Sequence, residues 1–374
     1  MNRLRKNVLF TVMLAVFALF YIGCEGPAGE DGADGADGIA GSDGVDGNVT
    51  CLECHATEDF EMKVAQFARS SHNVGAVDAE RESTWSSSCV QCHTSQGFIE
   101  YAADGETMGG IVSGNNQFEC KTCHTLHTTF TSQDYNLRLT TAASVSGGSD
   151  FLLKGNNNLN IQGFSNLCAN CHQSRRAGPT DEGGDMVDLD DDDVDETEVP
   201  AGSFFISSTH YGPHHGAQAN VVAGVGFPEM GTGAFPAPGS SYHMAASCTG
   251  CHMYDGNHDF TPQLDACNDC HATTDFDYGN VQTDIEDKLD ELRDLLVAAG
   301  VVEKGHEDIY EINQDTGVIE LVSYAGEYHP VVGIFTVEEA EAFFIWIGLV
   351  EDRSLGVHNP KYVEALLDGA ISSF

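Results

Sequence analysis

Positively charged residues are scarce in this 374-residue sequence. It has 16 Lys and Arg against 58 Asp and Glu, which gives a formal net charge of −42. Proteins that bind nucleic acids need clustered Lys and Arg to neutralise phosphates, so this charge balance excludes that class. A partner that carries a basic patch is the electrostatic match that the sequence favours.

Large aromatic side chains are also few. Phe, Tyr and Trp make up 9% of the residues, with two Trp in all, whereas Gly occurs 41 times. Since large apolar side chains supply much of the area that a domain buries, we expect a thin core for a chain of this length. Something other than side-chain burial is then expected to organise much of the fold.

The N-terminal apolar run, Val8–Gly23, has 16 residues and is short for a spanning helix, which needs about 20. A positively charged start precedes it, so residues 1–23 are predicted to be a secretory signal peptide. Residues 21–24 resemble a bacterial lipoprotein cleavage box, which predicts lipidation of Cys24. Glu25 after this cysteine favours the outer membrane. An uncleaved anchor with an incidental cysteine is the alternative.

Residues 24–48 form a glycine-periodic segment. Gly recurs at every third position from Gly26 to Gly47, the spacing found in collagen. With a single proline and many Asp residues, a triple helix of these repeats would be marginal. We therefore predict an extended, solvated tether, with a collagen-like structural trimer as the alternative.

Twelve of the 13 cysteines fall into six copies of the pattern C-x-x-C-H. The copies are Cys51, Cys54, His55; Cys89, Cys92, His93; Cys120, Cys123, His124; Cys168, Cys171, His172; Cys248, Cys251, His252; and Cys267, Cys270, His271. This pattern attaches c-type haem, because two thiols add to the vinyl groups and the histidine binds the iron. Six disulfides or three zinc ions are the alternatives for an exported chain. Neither explains why His follows the second cysteine every time.

Ten further histidines are available as the second axial ligands of six irons. The candidates that the local sequence favours are His72, His127, His243, His258 and His358, with one or two from the cluster His210, His214 and His215. Filling both axial positions with histidine leaves no site for substrate, which suits electron transfer. Methionine is the rival ligand. His306 and His329 lie far from any motif and are predicted to be surface residues.

Two charged features stand apart from the motifs. Residues 181–198 are rich in Asp and Glu and are expected to be a solvated loop, with calcium binding as an alternative, although the spacing of an EF-hand is absent. Arg175 and Arg176 follow the fourth motif and are candidates to pair with haem propionates or to be exposed.

The last quarter of the sequence differs in kind. Val281–Ala299 carries an apolar stripe typical of an amphipathic helix, and Ile309–Val322 predicts a hairpin. Thr336 and Glu339 predict a capping box at the start of a second helix, and Asn359 is expected to cap a final helix from Pro360. The predicted organisation is therefore a haem-binding region over 49–280 and a helical region over 281–374 that packs on the haems. The expected fold class is mostly α with long irregular segments and a small β-hairpin.

The six motifs and their surroundings resemble a bacterial multihaem cytochrome c over about residues 49–374. Local hallmarks are the stretches 171–176, 210–216 and 256–262. The helical tail ending at 356–360 is similar to that of cytochromes distantly related to the pentahaem nitrite reductases and the hydroxylamine-oxidising enzymes. The nitrite reductases use a C-x-x-C-K haem, and this sequence has no such motif. The resemblance implies a multihaem fold organised around six covalent haems.

We therefore expect an exported, lipid-anchored hexahaem electron-transfer protein of the outer membrane or cell surface. Its partners would be redox proteins or an extracellular electron acceptor. Association of copies through a histidine supplied by a neighbouring subunit is an open alternative. A reductase of a small nitrogen or sulfur oxyanion, with one open haem, is the alternative from a different functional class.

Overall fold

The computed structural model describes residues 55, 57–74, 89–105, 117–128, 132–145, 158–189, 197–214, 216–305, 308–312, 319–324 and 328–374. The chain separates into two units, Met1–Gly47 and Asn48–Phe374, and all of these residues belong to the second. The predicted signal peptide, the predicted lipid acceptor Cys24 and the predicted tether lie outside the described residues, as do Cys51, Cys54, His215 and His306.

Helices dominate the described residues, which confirms the expectation of a mostly helical chain. They are α1 (Glu58–Phe67), α2 (Ser71–Val74), α3 (Val90–His93), α4 (Ser95–Asp104), α5 (Cys120–Cys123), α6 (Ser165–Ala169), α7 (Gln218–Ala223), α8 (His243–His252), α9 (Leu264–Asn268), α10 (Val281–Ala298), α11 (Val337–Asp352) and α12 (Pro360–Ile371). Most helices before α10 are short and are joined by irregular segments. None of the helices in these ranges is both long and apolar enough to cross a bilayer.

The strands in the described ranges form antiparallel pairs rather than a larger sheet. They are β1 (Ala143–Ser144), β2 (Asn158–Leu159), β3 (Met186–Val187), β4 (Thr197–Glu198), β5 (Ser203–Ile206), β6 (Val302–Lys304), β7 (Asp308–Ile312), β8 (Ile319–Tyr324), β9 (Tyr328–Pro330) and β10 (Gly333–Thr336). The pairs are β1 with β2, β3 with β4, β5 with β10, β6 with β9, and β7 with β8. The β7–β8 pair confirms the predicted hairpin, whose turn lies outside the described residues.

The three C-terminal helices share an apolar core. On α10 the predicted stripe is buried at Ile285, Leu289, Leu292 and Leu296, whereas Leu295 is half-buried. The indole nitrogen of Trp346 on α11 donates a hydrogen bond to the carbonyl of Leu289 at 3.2 Å, so the one polar atom of this side chain is satisfied inside the core.

This core is larger than the composition suggested. Residues from the predicted haem-binding region join the same apolar cluster, among them Phe204, Ile206, Tyr211, Val221 and Phe227. Strand β5 reaches it by pairing with β10, next to the start of α11. The C-terminal helices are therefore continuous with the segment around residues 204–230, and side-chain burial organises this part of the chain.

Different hydrogen bonds fix the first residues of α11 and α12. The Thr336 hydroxyl accepts from the Glu339 amide at 3.1 Å and the Glu339 carboxylate accepts from the Thr336 amide, so the predicted capping box is confirmed. Helix α12 begins at Pro360 as predicted, but the Asn359 side chain does not cap it. Its amide nitrogen instead donates to the carbonyls of Val221 and Val222, which fixes the start of α12 against the end of α7.

A matched pair of truncations on α10 tests this core. Leu292 is fully buried, whereas Val297 on the same helix is 42% exposed. We expect Leu292→Ala to lower the free energy of unfolding by about 2–5 kcal/mol, because it leaves a cavity. Val297→Ala should change it by no more than about 0.5 kcal/mol. Urea unfolding followed by helical circular dichroism measures both, and equal losses in the two variants would contradict the packing described.

Candidate haem-binding centres

Each C-x-x-C-H motif that the structure describes in full forms a single helical turn. The histidine amide donates to the carbonyl of the first cysteine in motifs two, three, four and six, at 3.1, 3.0, 3.0 and 2.8 Å. The fifth motif lies inside α8. Residues three and four apart share a helix face. The turn therefore keeps the first cysteine of a motif close to the second cysteine and to the histidine.

Each of the six motif histidines has one histidine from outside the motifs beside it. The ring centroids are 6.1 Å apart for His55–His127, 5.9 Å for His72–His172, 6.3 Å for His93–His214, 6.3 Å for His124–His258, 6.3 Å for His243–His271 and 6.3 Å for His252–His358. Among the histidines that the structure describes, the pairing is one to one, and none of these twelve belongs to two pairs. We call these six contacts the histidine pairs.

The spacing in the histidine pairs fits a metal ion between two imidazoles. A metal–imidazole bond is about 2.0–2.1 Å long. In a five-membered ring with bonds of about 1.35 Å, each atom lies about 1.15 Å from the centre. Two imidazoles bound to opposite faces of one ion therefore have centroids about 6.3 Å apart. The distance between ring centroids is close to this value in every histidine pair, at 5.9–6.3 Å.

The angles between the rings of the histidine pairs vary widely. They range from 22° in His55–His127 to 87° in His243–His271, while the centroid distance stays within 5.9–6.3 Å. Ordinary aromatic contacts such as Tyr211–Phe343, at 6.3 Å, fall in the same range, so what distinguishes the histidine pairs is that each joins a motif histidine to a histidine outside the motifs. An ion on the common axis fixes the separation and leaves the rotation about that axis free, which is the pattern found here.

Hydrogen bonds orient six of these twelve imidazoles. The Nδ1 atom lies beside an oxygen in His124 (Tyr135 carbonyl, 2.7 Å), His172 (Gln218 Oε1, 3.1 Å), His243 (Val357 carbonyl, 2.5 Å), His252 (Phe260 carbonyl, 2.9 Å), His258 (Gly256 carbonyl, 2.9 Å) and His358 (Asp352 Oδ1, 2.7 Å). An oxygen acceptor requires the proton on Nδ1, which leaves the lone pair on Nε2 for a metal. Among the acceptors, no sequence pattern pointed to Gln218, Phe260 or Asp352.

The charge state of several rings suits a ligand. Burial lowers the pKa of His72 to about 4, and it also lowers the pKa of His172, His252 and His258. These imidazoles are therefore neutral near pH 7. Only the neutral ring has a lone pair that can bind a metal.

Two partner histidines adopt backbone conformations that are rare for residues other than glycine. His127 has φ of 55° and His214 has φ of 68°. A left-handed conformation at such residues costs of order 1–3 kcal/mol and persists where the surroundings impose it. Loop strain at these two positions therefore coincides with their role in the histidine pairs.

The motif turns pack directly on one another. Between motifs two and four, the Gln91 side chain donates to the carbonyl of Asn170 at 2.9 Å. The thiols complete a reciprocal contact, with Cys171 Sγ 3.7 Å from the Gln91 carbonyl and Cys92 Sγ 3.8 Å from the Asn170 carbonyl. A hydrogen bond between the two thiols lowers the pKa of Cys92 and raises that of Cys171. The turns of motifs two and four are therefore close neighbours.

Motifs three and five join the same array. Ser95 and Thr122 share a hydrogen bond of 2.7 Å, which links α4, directly after motif two, to motif three. Ser165, just before motif four, accepts from the amide of Thr249 in motif five at 3.0 Å. The thiols of Cys168 and Cys248 are also hydrogen-bonded, which raises the pKa of Cys168 and lowers that of Cys248 to about 7. Motif three therefore contacts motif two, motif two contacts motif four, and motif four contacts motif five.

Short segments also serve two histidine pairs at once. His124 and His127 are three residues apart and belong to different pairs, as do His252 and His258. The connection between α11 and α12 supplies His358 to one pair, and its Val357 carbonyl accepts from His243 of another. Pairs that share a segment cannot be far apart.

The remaining candidates take other positions. His210 is exposed, with its Nδ1 3.3 Å from the Thr209 hydroxyl, and no described motif histidine is paired with it. His329 is half-buried in β9. Met230 and Met244 are buried in the apolar clusters, and Met62 and Met186 are exposed. The Arg176 guanidinium lies 5.8 Å from the Tyr211 ring centroid.

In the described part of the chain, no arrangement of side chains supports the disulfides, zinc sites or calcium site considered as alternatives to haem. The ten cysteines described there are free thiols. No three His, Cys, Asp or Glu side chains of the described residues are grouped to hold a metal ion. Much of the acidic segment considered for calcium, residues 190–196, lies outside the described ranges.

Comparison with known proteins gives little. The sequence matches no protein-family model and no curated protein. The chain has a likeness to the crystal structure of outer cell wall cytochrome OcwA, with a TM-score of 0.43 and 16% sequence identity. The match covers 82% of this chain and 49% of the other, so the chain spans about half the length of that cytochrome. Similarity at this level carries no weight, and the assignment of the site depends on the motifs and the histidine pairs.

Two neighbouring histidines offer a matched test of the pairing. His214 lies beside His93, whereas His210 lies beside Thr209. Asn tolerates the left-handed backbone at position 214. We expect His214→Asn to turn one of six haems from low-spin to high-spin in the electron paramagnetic resonance spectrum of the oxidised protein. His210→Asn should leave all haems low-spin. A high-spin signal from His210→Asn, or none from His214→Asn, would contradict the pairs.

Proposed function

We propose that this chain is a hexahaem c-type cytochrome that transfers electrons. The observation that carries the proposal is the set of six histidine pairs, one for each C-x-x-C-H motif, at the separation that an iron between two imidazoles requires. Each haem, when bound, supplies an iron that accepts and releases one electron.

Different residues would attach each haem and bind its iron. The two cysteines of each motif would form the covalent attachment, and the motif histidine would provide the proximal ligand. The second ligands would be His127, His214, His258, His72, His358 and His243 for motifs one to six in that order. Cys51 and Cys54 take their role from the motif alone.

The full set of pairs favours electron transfer over catalysis at a haem. A reductase of a small oxyanion needs an iron with one open axial position, where the substrate binds. Here each motif histidine has a second imidazole beside it, so at each of the six sites a bound haem would find a histidine on both sides of its iron. Rigid ligands on both sides also keep rearrangement small when the charge of the site changes.

The packing of the motifs supports transfer between sites. Motifs three, two, four and five are connected by direct hydrogen bonds, and the remaining pairs share segments with them. The groups held by these turns are therefore neighbours, and no site is isolated from the rest. Lys63, Arg138 and Arg175, among the few positive charges of the chain, lie near His258, Cys123 and Cys92 and are candidates to pair with haem propionates.

We further propose that the protein is exported and held by a lipid on Cys24, with residues 24–48 as a tether. The signal-like N-terminus and the glycine repeat support this location on the outer membrane or cell surface. The net charge of −42 favours a redox partner with a basic surface, or an extracellular acceptor.

Haem content and spin state test the proposed function. Mature protein purified from a host that attaches c-type haem should contain six haems per chain that survive denaturation in acid and solvent. The oxidised protein should give only low-spin resonance signals, and nitrite or hydroxylamine should not change them. A high-spin haem that binds either molecule would favour the reductase, and colourless protein would contradict both functions.

A further inference from the structure

One histidine pair has a buried carboxylate behind it. Asp352 is the last residue of α11, and its side chain is 1% exposed. Its Oδ1 lies 2.7 Å from Nδ1 of His358, the partner of His252. The Ser354 hydroxyl donates to the other carboxylate oxygen, and it also accepts from the amide of His358. The carboxylate is therefore held in place from both sides.

This acceptor differs from those of the other oriented histidines. Where the Nδ1 partner of a paired histidine is described, the other five acceptors are backbone carbonyls or the neutral amide oxygen of Gln218. A hydrogen bond to an ionised acceptor is roughly twice as strong as one between neutral groups. His358 therefore has the most electron-rich surroundings among these six imidazoles.

The carboxylate acts on the ring directly. Asp352 Oδ1 lies 2.7 Å from Nδ1 of His358, and the Asp352 side chain is 1% exposed, so water screens this interaction little. A carboxylate that accepts the Nδ1 proton makes the imidazole a more basic ligand. A more basic imidazole donates more electron density to a bound metal.

The neighbouring pair, His72–His172, has no described carboxylate beside either Nδ1 atom. In His72–His172, the Nδ1 of His72 is buried and has no hydrogen-bond partner among the described residues, and that of His172 faces the neutral Gln218 amide. The two pairs are adjacent, because Ser165, just before motif four, is hydrogen-bonded to the amide and the hydroxyl of Thr249 in motif five, at 3.0 Å in both cases. Adjacent sites thus have ligands of contrasting electron richness.

We propose that Asp352 is a positioning residue that lowers the reduction potential of the haem held by His252 and His358 relative to its neighbour held by His72 and His172. This rests on the proposed function. The carboxylate stabilises the oxidised iron through His358, because partial negative charge on the ligand favours the higher positive charge on the metal. The chain therefore sets unequal potentials at two adjacent sites through residues outside the motifs.

Asp352→Asn tests this role, because it keeps the shape and removes the charge. We expect the equilibrium constant for reduction of one haem in six to rise about tenfold, which corresponds to about 59 mV for a one-electron couple. Spectroelectrochemical titration of the holoprotein, with low-spin resonance signals followed at each potential, measures the shift. Asp368→Asn is the matched control, since Asp368 pairs with Lys288 on the helix surface and its loss changes the net charge equally.

Ser354→Ala is expected to shift the reduction potential of the same haem in the opposite direction. Without the Ser354 hydroxyl the carboxylate has one donor fewer, so it accepts more strongly from His358, and the potential of the same haem should fall. An unchanged titration in both variants, or equal shifts in Asp352→Asn and Asp368→Asn, would overturn the role of Asp352. So would a high-spin haem in Asp352→Asn with no shift in Ser354→Ala, because that result means a structural role alone. Fewer than six low-spin haems in the unmodified chain would instead overturn the proposed function.

Discussion

In the proposed cytochrome, the separation of two imidazoles that would bind one iron is the constraint on which the rest of the structure depends. Centroids 5.9–6.3 Å apart recur at six places, between residues that are often far apart in the chain. Each pair joins two segments at a fixed distance, much as a crosslink does. This accounts for a long region with short helices and two-residue strands that has few large apolar side chains of its own. It also explains why left-handed backbone at His127 and His214 is tolerated.

The C-terminal helices contribute in a different way. Their core of Leu, Ile and Phe side chains folds by ordinary burial, and it extends to residues 204–230. The connection between α11 and α12 projects from this core and supplies His358, its acceptor Asp352 and the Val357 carbonyl that orients His243. Asn359 then fastens the same connection to α7. A rigid apolar region thus holds two of the histidine pairs, which ties the conventional part of the fold to the motif region.

Local signals explain which features could be predicted from the sequence. The capping box at Thr336, the stripe on α10 and the β7–β8 hairpin depend on residues a few positions apart, so their patterns are visible in the chain. The C-x-x-C-H turns are local in the same sense. Which histidine pairs with His172 or with His124 depends on tertiary packing, and no pattern in the sequence marks His72 and His258 as their partners. The choice among His210, His214 and His215 was open for that reason, and Asn359 took a tertiary contact in place of the cap that its position favoured. Gln218 and Asp352, which orient ligands, had no motif to mark them.

The most direct test of the central claim is an experimental structure of the haem-loaded protein that resolves the coordination of all six irons. The account predicts an iron midway between the rings of each histidine pair, about 2.0 Å from both Nε2 atoms. It would be contradicted by an iron whose second axial position is open or is filled by a water, a methionine or a histidine from another pair.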